Sequence, residues 1–437
     1  MYSKLRKVSY RGLPAFMIAI LLTTTIISGQ HSSAASAVAG PAENTAYHIV
    51  AVGDSLTAGY EHGFTEQSIP YGYVEQVYEQ ALFQGLRAEF SNYGVLGLKT
   101  QGLARWIEAA LQGVSVKADD IQSNLIDPRA ERIFAETLQL RSSLTEADLI
   151  IMTIGGNDMN AVFTKLEAGG TLAEAAIVLD NALAIYEKEL EETIRGMAEL
   201  RPQAQIVVAD QYLPVPAPFK IKDTLVELYP EADRLFLVDG QKQLQERLDG
   251  VVARLSNVGI NVKAANVADP FKGNELSFTS ISEGDIHPSR SGYAAMGKAF
   301  ANAIWDEYLT VKPRAEGVPI SVVINGKELI SSYKPVLLEN RTFVPLREIT
   351  EALGATVDWN SAAQTATIVQ DGRTVDITIG AAAISVNGVK TKLNAQPAFL
   401  HRVGKESKTY LPLAALSEGL AFQVVYRDTL KTAFINK

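Results

Sequence analysis

The stretch HIVAVGDSL at residues 48–56 joins a short apolar run to a glycine and two small polar residues, and it determines how the chain is interpreted. Residues 48–52 are typical of a buried strand, and the glycine that follows indicates a turn. Similar apolar runs recur at 88–93, 149–154, 206–209 and 261–264. Helical patterns occupy 73–84, 172–200, 235–255 and 292–308. This alternation predicts an α/β fold in which helices cover both faces of a parallel sheet.

Polar residues follow two of the predicted strands directly. Asp54 and Ser55 come after the first, and Gly156 and Asn157 come after the third. Ligands of such sheets bind beyond the carboxyl ends of the strands. We therefore expect Ser55 and Asn157 to lie on one rim. Asp54 adjoins Ser55, but adjacent side chains at a strand end point apart, so we expect it to fix the turn instead.

A serine nucleophile requires a base within hydrogen-bonding distance. Five histidines occur in the chain, and His287 is the best candidate because it lies in the loop DIHP, 285–288, just before the last predicted helix. His62, close to Ser55 in sequence, is the alternative. A tetrahedral oxyanion also needs hydrogen-bond donors. The Ser55 amide, the Gly97 amide and the Asn157 side chain are the candidates for this oxyanion hole.

Together the blocks GDSL at 53–56, Gly97, GGND at 155–158 and DIHP at 285–288 resemble those of the SGNH, or GDSL-type, serine hydrolases. The resemblance covers residues 48–309. It implies a three-layer α/β/α fold of flavodoxin-like character and ester hydrolysis through an acyl-enzyme on Ser55. It also implies that no metal or cofactor takes part.

The sequence departs from this family at the third triad member. The family usually places an Asp three residues before the His, where this chain has Gly284. Asp285, two residues before His287, is our candidate to orient the imidazole. Glu283 or a backbone carbonyl is the alternative.

The composition changes after a linker at 310–318, which is rich in proline, glycine and charge. Short alternating segments follow at 320–324, 366–369, 375–379 and 384–386, and three dipeptides signal hairpins: NG at 325, DG at 371 and NG at 387. The segments at 343–368 and 410–435 repeat one pattern. Residues 319–437 thus form a small α+β tandem-repeat module, which resembles the amino-terminal domain of copper amine oxidases. We expect no oxidase activity, since His401 is its only histidine. Attachment to the cell wall or another surface component is the expected role, with an inert stabilising domain as the alternative.

The amino terminus resembles a Gram-positive export signal. Basic residues precede an apolar run at 13–27, and the small residues at 35–37 suit signal peptidase. We assign 1–37 to the signal and 38–47 to a spacer, with cleavage after Ala37 or Ala39 and an uncleaved membrane anchor as the alternative. The net charge of −9 argues against nucleic acid as a partner, and the lack of cysteine excludes disulfides and thiolate metal sites.

The sequence therefore predicts a secreted or wall-associated serine esterase acting on acyl esters, with lysophospholipids or short-chain lipids as candidate substrates. A deacetylase of O-acetylated wall or plant polysaccharide and a surface-binding protein with a vestigial hydrolase domain are the alternatives. Apolar residues at 64, 69–71 and 212–216 are candidates to line an acyl pocket.

Overall fold

The computed structural model describes residues 46–221, 223–339 and 341–437. The predicted signal at 1–37 and most of the spacer lie outside these residues. Within the described part of the chain, no helix is both long enough and apolar enough to cross a membrane.

The first part of the chain is built on a parallel sheet. Its strands are β1 (Tyr47–Gly53), β2 (Ala88–Gly94), β3 (Leu149–Thr153), β4 (Gln205–Ala209) and β7 (Val262–Ala265). A separate hairpin forms from β5 (Phe219–Ile221) and β6 (Thr224–Val226). The sheet order is β2-β1-β3-β4-β7, with every neighbouring pair parallel. This is the strand order of flavodoxin-like folds, and it confirms the predicted fold class.

Helices connect the strands. They are α1 (Tyr73–Phe83), α2 (Thr100–Gln112), α3 (Ala118–Ile121), α4 (Ala130–Ala135), α5 (Thr137–Glu146), α6 (Asn160–Glu167), α7 (Leu172–Leu200), α8 (Glu231–Asn257), α9 (Ala268–Phe271), α10 (Glu275–Phe278) and α11 (Arg290–Trp305). Short 3₁₀ turns occur at Gly156–Met159 and Ile281–Glu283.

Alternate residues of the strands supply two cores, one on each face of the sheet. Val50 and Val52 pack with α2, α7 and α8 on one face. Ile49 and Ala51 pack with α1 and α11 on the other. Because successive side chains of a strand point to opposite faces, this division produces three layers.

Helix α2 is not among the predicted helices, although its apolar face has helical spacing. Leu103, Trp106, Ile107 and Ala110 are all buried. The predicted ends of the other helices shift by a few residues. The helix expected at 235–255, for example, begins at Glu231 and ends at Asn257.

The second part is β-rich. Its strands are β8 (Ser321–Ile324), β9 (Lys327–Glu328), β10 (Val336–Leu338), β11 (Arg341–Pro345), β12 (Thr356–Asn360), β13 (Thr365–Gln370), β14 (Arg373–Thr378), β15 (Ala383–Val386), β16 (Val389–Lys392), β17 (Phe399–Val403), β18 (Glu406–Pro412), β19 (Gln423–Arg427) and β20 (Thr432–Asn436). Two helices accompany them, α12 (Leu346–Ala352) and α13 (Leu413–Leu420). Each predicted hairpin dipeptide joins consecutive antiparallel strands with positive φ at both residues, as a type I′ turn requires.

The repeat has a structural counterpart. The series β11-α12-β12-β13 recurs as β18-α13-β19-β20. β11 and β18 pair antiparallel, with Val344 opposite Leu411. These two residues occupy the same position in the two repeats, so a pseudo-two-fold axis passes between them.

The second part packs directly on the first. The chain from 306 to 320 has no helix or strand, yet it is held in place: Gln80 of α1 exchanges hydrogen bonds with the backbone of Leu309. Val323 and Phe434 join the apolar cluster on the α1 face of the parallel sheet. The Phe434 ring meets Phe83 edge-on at 4.8 Å. All residues of α1 are buried.

Polar contacts complete this interface. The Gln423 side chain accepts from the Ala88 amide and donates to the Ala88 carbonyl, as a neighbouring strand would at the edge of β2. Asn436 Nδ2 donates to the carbonyls of Leu82 and Leu86. The two parts therefore share the apolar cluster on the α1 face of the parallel sheet and a hydrogen-bonded border.

Candidate active site

Ser55 lies in the tight turn after β1, where two glycines permit close packing. Gly53 has φ of 139°, and a Cβ there would lie 2.1 Å from the Thr153 carbonyl oxygen of β3. A Cβ on Gly94 would come within 2.2 Å of the Ala58 amide. Only glycine fits at such distances, so the carboxyl ends of β1, β2 and β3 converge around Ser55.

The structure brings Ser55, His287 and Asp285 together, although Ser55 and His287 are 232 residues apart in sequence. His287 Nε2 lies 2.8 Å from Ser55 Oγ. His287 Nδ1 lies 2.5 Å from Asp285 Oδ1. With Nδ1 donating to the carboxylate, Nε2 is left to accept the Ser55 hydroxyl proton. Ser55 and His287 are both largely buried, at 8% and 7% exposure.

The unusual spacing of Asp285 and His287 is explained by the backbone. Asp285 Oδ1 accepts a hydrogen bond from the His287 amide at 2.9 Å as well as from the ring. A carboxylate bonded to the amide two residues ahead is an Asx turn, which a separation of two residues allows. Gly284, with φ of 88°, ends the 3₁₀ turn at Ile281–Glu283 immediately before it. The same oxygen thus fixes both the loop and the imidazole.

Electrostatics keep Asp285 ionised. Burial alone would raise its pKa, but hydrogen bonds and charge from His287 outweigh that effect and hold the pKa of Asp285 below its usual value. His62 approaches the other oxygen, with Nδ1 3.5 Å from Asp285 Oδ2. His62 Nε2 lies 3.7 Å from Glu283 Oε2. Among the described residues, neither His62 nor Glu283 forms a hydrogen bond with Ser55.

The three donors predicted for the oxyanion hole are the backbone amides of Ser55 and Gly97 and the side chain of Asn157. Within residues 46–221, 223–339 and 341–437, neither the Ser55 nor the Gly97 backbone amide donates to a protein acceptor. Asn157 Nδ2 donates to the Leu98 carbonyl at 3.1 Å, which places Asn157 beside the Gly97 segment and leaves its second N–H uncommitted. Gly97 has φ of 80°, a conformation that favours glycine.

Asp54 has a structural position. Its Oδ1 accepts from the Leu56 amide at 3.0 Å and from Thr153 Oγ1 at 2.9 Å, as expected for a residue that fixes the turn. Burial raises its pKa to about 6, although these two hydrogen bonds oppose the rise. Asp158 holds the start of α2, where its Oδ2 accepts hydrogen bonds from the amide and the hydroxyl of Thr100.

The sequence also matches the model of a known enzyme family. Residues 51–295, more than half of the chain, match the model of the GDSL-like lipase/acylhydrolase family. The chain belongs to this family. It is therefore an ester-hydrolysing enzyme of the GDSL type. Residues 323–435 match the copper amine oxidase N-terminal domain.

Individual relatives are distant. The uncharacterized protein YpmR of Bacillus subtilis strain 168 is 24% identical over 306 residues, which is 68% of this chain and 96% of the relative. A lipase from a goat rumen metagenome, Lip_vut3, aligns in structure with 18% identity and a TM-score of 0.40, over 59% of this chain and 98% of that one. A family 3 carbohydrate esterase of Clostridium thermocellum aligns with 17% identity and a TM-score of 0.34, over 60% and 96%.

The GDSL-type site has supports that sequence reasoning missed. Thr57 Oγ1 contacts Thr153 Oγ1 at 2.7 Å and Tyr73 Oη at 2.8 Å beneath the Ser55 turn. The Tyr60 ring lies 4.6 Å from the His287 ring. Tyr212 Oη donates to the Ile286 carbonyl beside His287. Single tyrosines and threonines carry no sequence signal for such roles, because the same residue types occur throughout ordinary cores.

The GDSL-type site opens into a cavity of about 450 Å³. Of the apolar residues suggested by the sequence, Tyr212, Leu213 and Pro214 line it. Among the described residues, the segment at 64–71 does not contribute to its wall. Tyr71 instead hydrogen-bonds Glu79, and Ile69 is 89% exposed.

Proposed function

We propose that this GDSL-type enzyme hydrolyses carboxylic esters through an acyl-enzyme on Ser55. The observation that carries the proposal is the relay from Ser55 Oγ to His287 Nε2, 2.8 Å, and from His287 Nδ1 to Asp285 Oδ1, 2.5 Å. Nucleophile, base and orienting carboxylate are in line, as the triad mechanism requires.

In the first step, Ser55 Oγ attacks the ester carbonyl carbon while His287 Nε2 takes its proton. The carbonyl oxygen becomes an oxyanion, stabilised by the Ser55 amide, the Gly97 amide and the second N–H of Asn157. Each such donor is worth about 3 kcal/mol in the transition state. Asp285 stabilises the imidazolium that forms.

Collapse of the tetrahedral intermediate breaks the bond to the alcohol oxygen, which receives the proton from His287. Water then attacks the acyl-enzyme with His287 as base, and a second collapse releases the acid and restores Ser55. Every proton transfer passes through His287, and water is the co-reactant that the second half of the proposed reaction consumes.

Fluorophosphonate labelling tests this mechanism, together with hydrolysis of p-nitrophenyl acetate by the mature protein. We expect both signals in the wild type and neither in Ser55→Ala. Ser68→Ala, which alters a half-buried serine that does not line the cavity, should retain both. A folded wild-type protein that is neither labelled nor active would refute the proposal and favour a vestigial hydrolase domain.

We further propose that the enzyme is exported and held at a surface by residues 319–437. The support is the basic and apolar pattern of residues 1–37 and the match of the second part to a copper amine oxidase N-terminal domain. In a Gram-positive host, the full chain should reach the medium or wall fraction, and a chain lacking 1–37 should not. Equal distribution of the two chains would contradict export.

Surface attachment has its own test. Mature Ser55→Ala protein should sediment with purified wall material, and bovine serum albumin, an unrelated acidic protein, should remain in solution. Absence of sedimentation would contradict attachment and favour a stabilising role for the second part.

A further inference from the structure

His62 lies against the carboxylate of the triad. Its Nδ1 is 3.5 Å from Asp285 Oδ2, and its Nε2 is 3.7 Å from Glu283 Oε2. Asp285 uses its other oxygen, Oδ1, for both of its hydrogen bonds with His287. Among the described residues, no other hydrogen bond or ion pair reaches Asp285 Oδ2. His62 therefore occupies the side of the carboxylate that the catalytic imidazole leaves open.

The segment that carries His62 is tied to the site at two points. The Tyr60 amide donates to the Ser55 carbonyl at 3.0 Å, and the Tyr60 carbonyl accepts from the hydroxyl of the buried Tyr293 at 2.7 Å. Gly63, with φ of 80°, follows His62 in a conformation that favours glycine. The backbone thus holds His62 beside the triad, while 44% of its side chain remains exposed to solvent.

His62 and His287 are the groups beside Asp285 that can change their positive charge at working pH. The titratable and charged groups on the elements around His62 are Tyr60, Glu61, Glu283, Asp285, His287 and Arg290. Burial raises the pKa of Glu61, and the charge of Arg290 opposes that rise. Burial and the charge of Asp285 both raise the pKa of Tyr60. An arginine keeps its charge at every working pH, so the variable cations are the two histidines.

A charge on His62 acts on the base through the shared carboxylate. Imidazole side chains gain a positive charge between about pH 8 and pH 5, the range in which the mechanism needs His287 neutral. Protonated His62 offsets part of the Asp285 charge that stabilises the His287 imidazolium. His287 then holds its own proton less tightly, and the base stays available at lower pH.

We propose that His62 is a positioning residue that acts on His287 through Asp285 and extends ester hydrolysis to lower pH. His62 is not among the described residues that line the cavity beside Ser55, so its effect does not depend on contact with the ester. This inference rests on the proposed function, because it concerns the base of the same triad.

The test is the pH dependence of kcat/KM for p-nitrophenyl acetate from about pH 5 to pH 8. The measured quantity is the midpoint of the acid limb, where His287 becomes protonated. His62→Gln keeps a hydrogen-bond donor beside Asp285 but cannot become charged, so the midpoint should rise by about half a pH unit. His62→Lys keeps a cation there, so its midpoint should stay at or below the wild-type value.

His48→Gln is the matched control. It removes another half-buried or exposed histidine in the same way, but at the amino end of β1, the end away from Ser55. Its midpoint should equal that of the wild type. Asp54, whose pKa burial raises to about 6, titrates in the same range in all four proteins. Only the differences between their midpoints therefore report on His62.

The outcomes separate this inference from the mechanism. A midpoint in His62→Gln equal to or below the wild-type value would overturn the role of His62. An equal rise in His62→Lys, or a loss of activity that is uniform with pH in both variants, would do the same; in each case Ser55 remains the nucleophile. A wild type that neither hydrolyses p-nitrophenyl acetate nor reacts with a fluorophosphonate would overturn both proposals.

Discussion

The ion pair between Arg427 of β19 and Glu79 of α1 joins the two parts of the molecule. Arg427 Nε donates to Glu79 Oε1 at 2.8 Å, and the Glu79 side chain is only 4% exposed. Tyr71 donates to the other Glu79 oxygen at 2.7 Å. Replacing Arg427 by Met keeps most of the length and apolar stem of the side chain but removes the charge.

The expected loss is large because Glu79 cannot easily reach water. Breaking a buried pair by removing one partner costs about 3–5 kcal/mol. Tyr71 remains bound to Glu79, so we expect the lower end, about 3 kcal/mol. Burial already raises the pKa of Glu79, opposed by Tyr71 and Arg427. Without Arg427 the folded-state pKa rises further, and a raised folded-state pKa lowers stability as pH increases through it. The deficit should therefore be greatest at neutral pH and shrink toward the usual Glu79 pKa of 4.5.

Urea unfolding at pH 7 and pH 5 measures this deficit, with far-UV circular dichroism and tryptophan fluorescence required to coincide. Arg195→Met is the matched control, because Arg195 pairs with Glu191 on the surface of α7 with 48% of its side chain exposed. Such pairs contribute below about 1 kcal/mol. The double variant Glu79→Gln/Arg427→Met should recover part of the loss. Equal losses in Arg427→Met and Arg195→Met, or no difference between the two pH values, would refute the reasoning.

Three further predictions concern the catalytic region. Asp285→Asn should lower kcat for p-nitrophenyl butyrate on the order of 10⁴-fold, because it favours the wrong imidazole tautomer of His287. Glu283→Gln should change kcat by no more than about twofold. Similar losses in the two variants would contradict the assignment of the orienting role to Asp285 alone. Asn157→Ala should lower kcat by about 10²- to 10³-fold with little change in KM, and a loss confined to KM would contradict its oxyanion role. Burial raises the pKa of Asp54 from 3.8 to about 6, so its stabilising contribution is complete below about pH 4 and is lost as pH rises through 6. Asp54→Asn should therefore flatten the fall in unfolding free energy between pH 4 and pH 6. Asp210, whose pKa is raised similarly, contributes to that fall in both the wild type and the variant. Identical curves of unfolding free energy against pH for the two proteins would contradict the role given to Asp54.

The sequence was sufficient to predict the sheet and the position of the site, because both follow from local patterns. Apolar runs define β1 and β3, and polar residues at their carboxyl ends meet wherever such strands are parallel neighbours. The hairpins of the second part were equally accessible, since the dipeptide at Asn325 requires the positive φ values that its turn adopts.

Contacts between distant segments were not accessible in this way. The spacing of Asp285 and His287 left the orienting group open, and only the Asx turn shows how two residues suffice. The network of Thr57 with Thr153 depends on β1 and β3 being adjacent. Side chains that support a site from beneath resemble ordinary core residues, so no local pattern distinguishes them.

The segment at 310–318 shows a related limit. Proline, glycine and charged residues are expected both in a free linker and in a chain that is bound along a surface. Here the chain is bound: Arg314 donates to the Leu430 carbonyl, and the neighbouring Leu309 is held by Gln80. Composition indicates only that a segment does not favour a helix or a strand. Whether the segment is held depends on partners far away in sequence.

The docked arrangement gives the second part a physical connection to the catalytic loop. Arg427 contacts Glu79, and Glu79 accepts from Tyr71. The Arg290 guanidinium lies 5.4 Å from the Tyr71 ring centroid, and Arg290 is the first residue of α11, three positions after His287. Residues 319–437 therefore cover α1, pair with its buried carboxylate and are linked through Glu79 and Tyr71 to Arg290. We therefore expect removal of residues 319–437 to expose Phe83, to leave Glu79 without its cation and to destabilise the hydrolase.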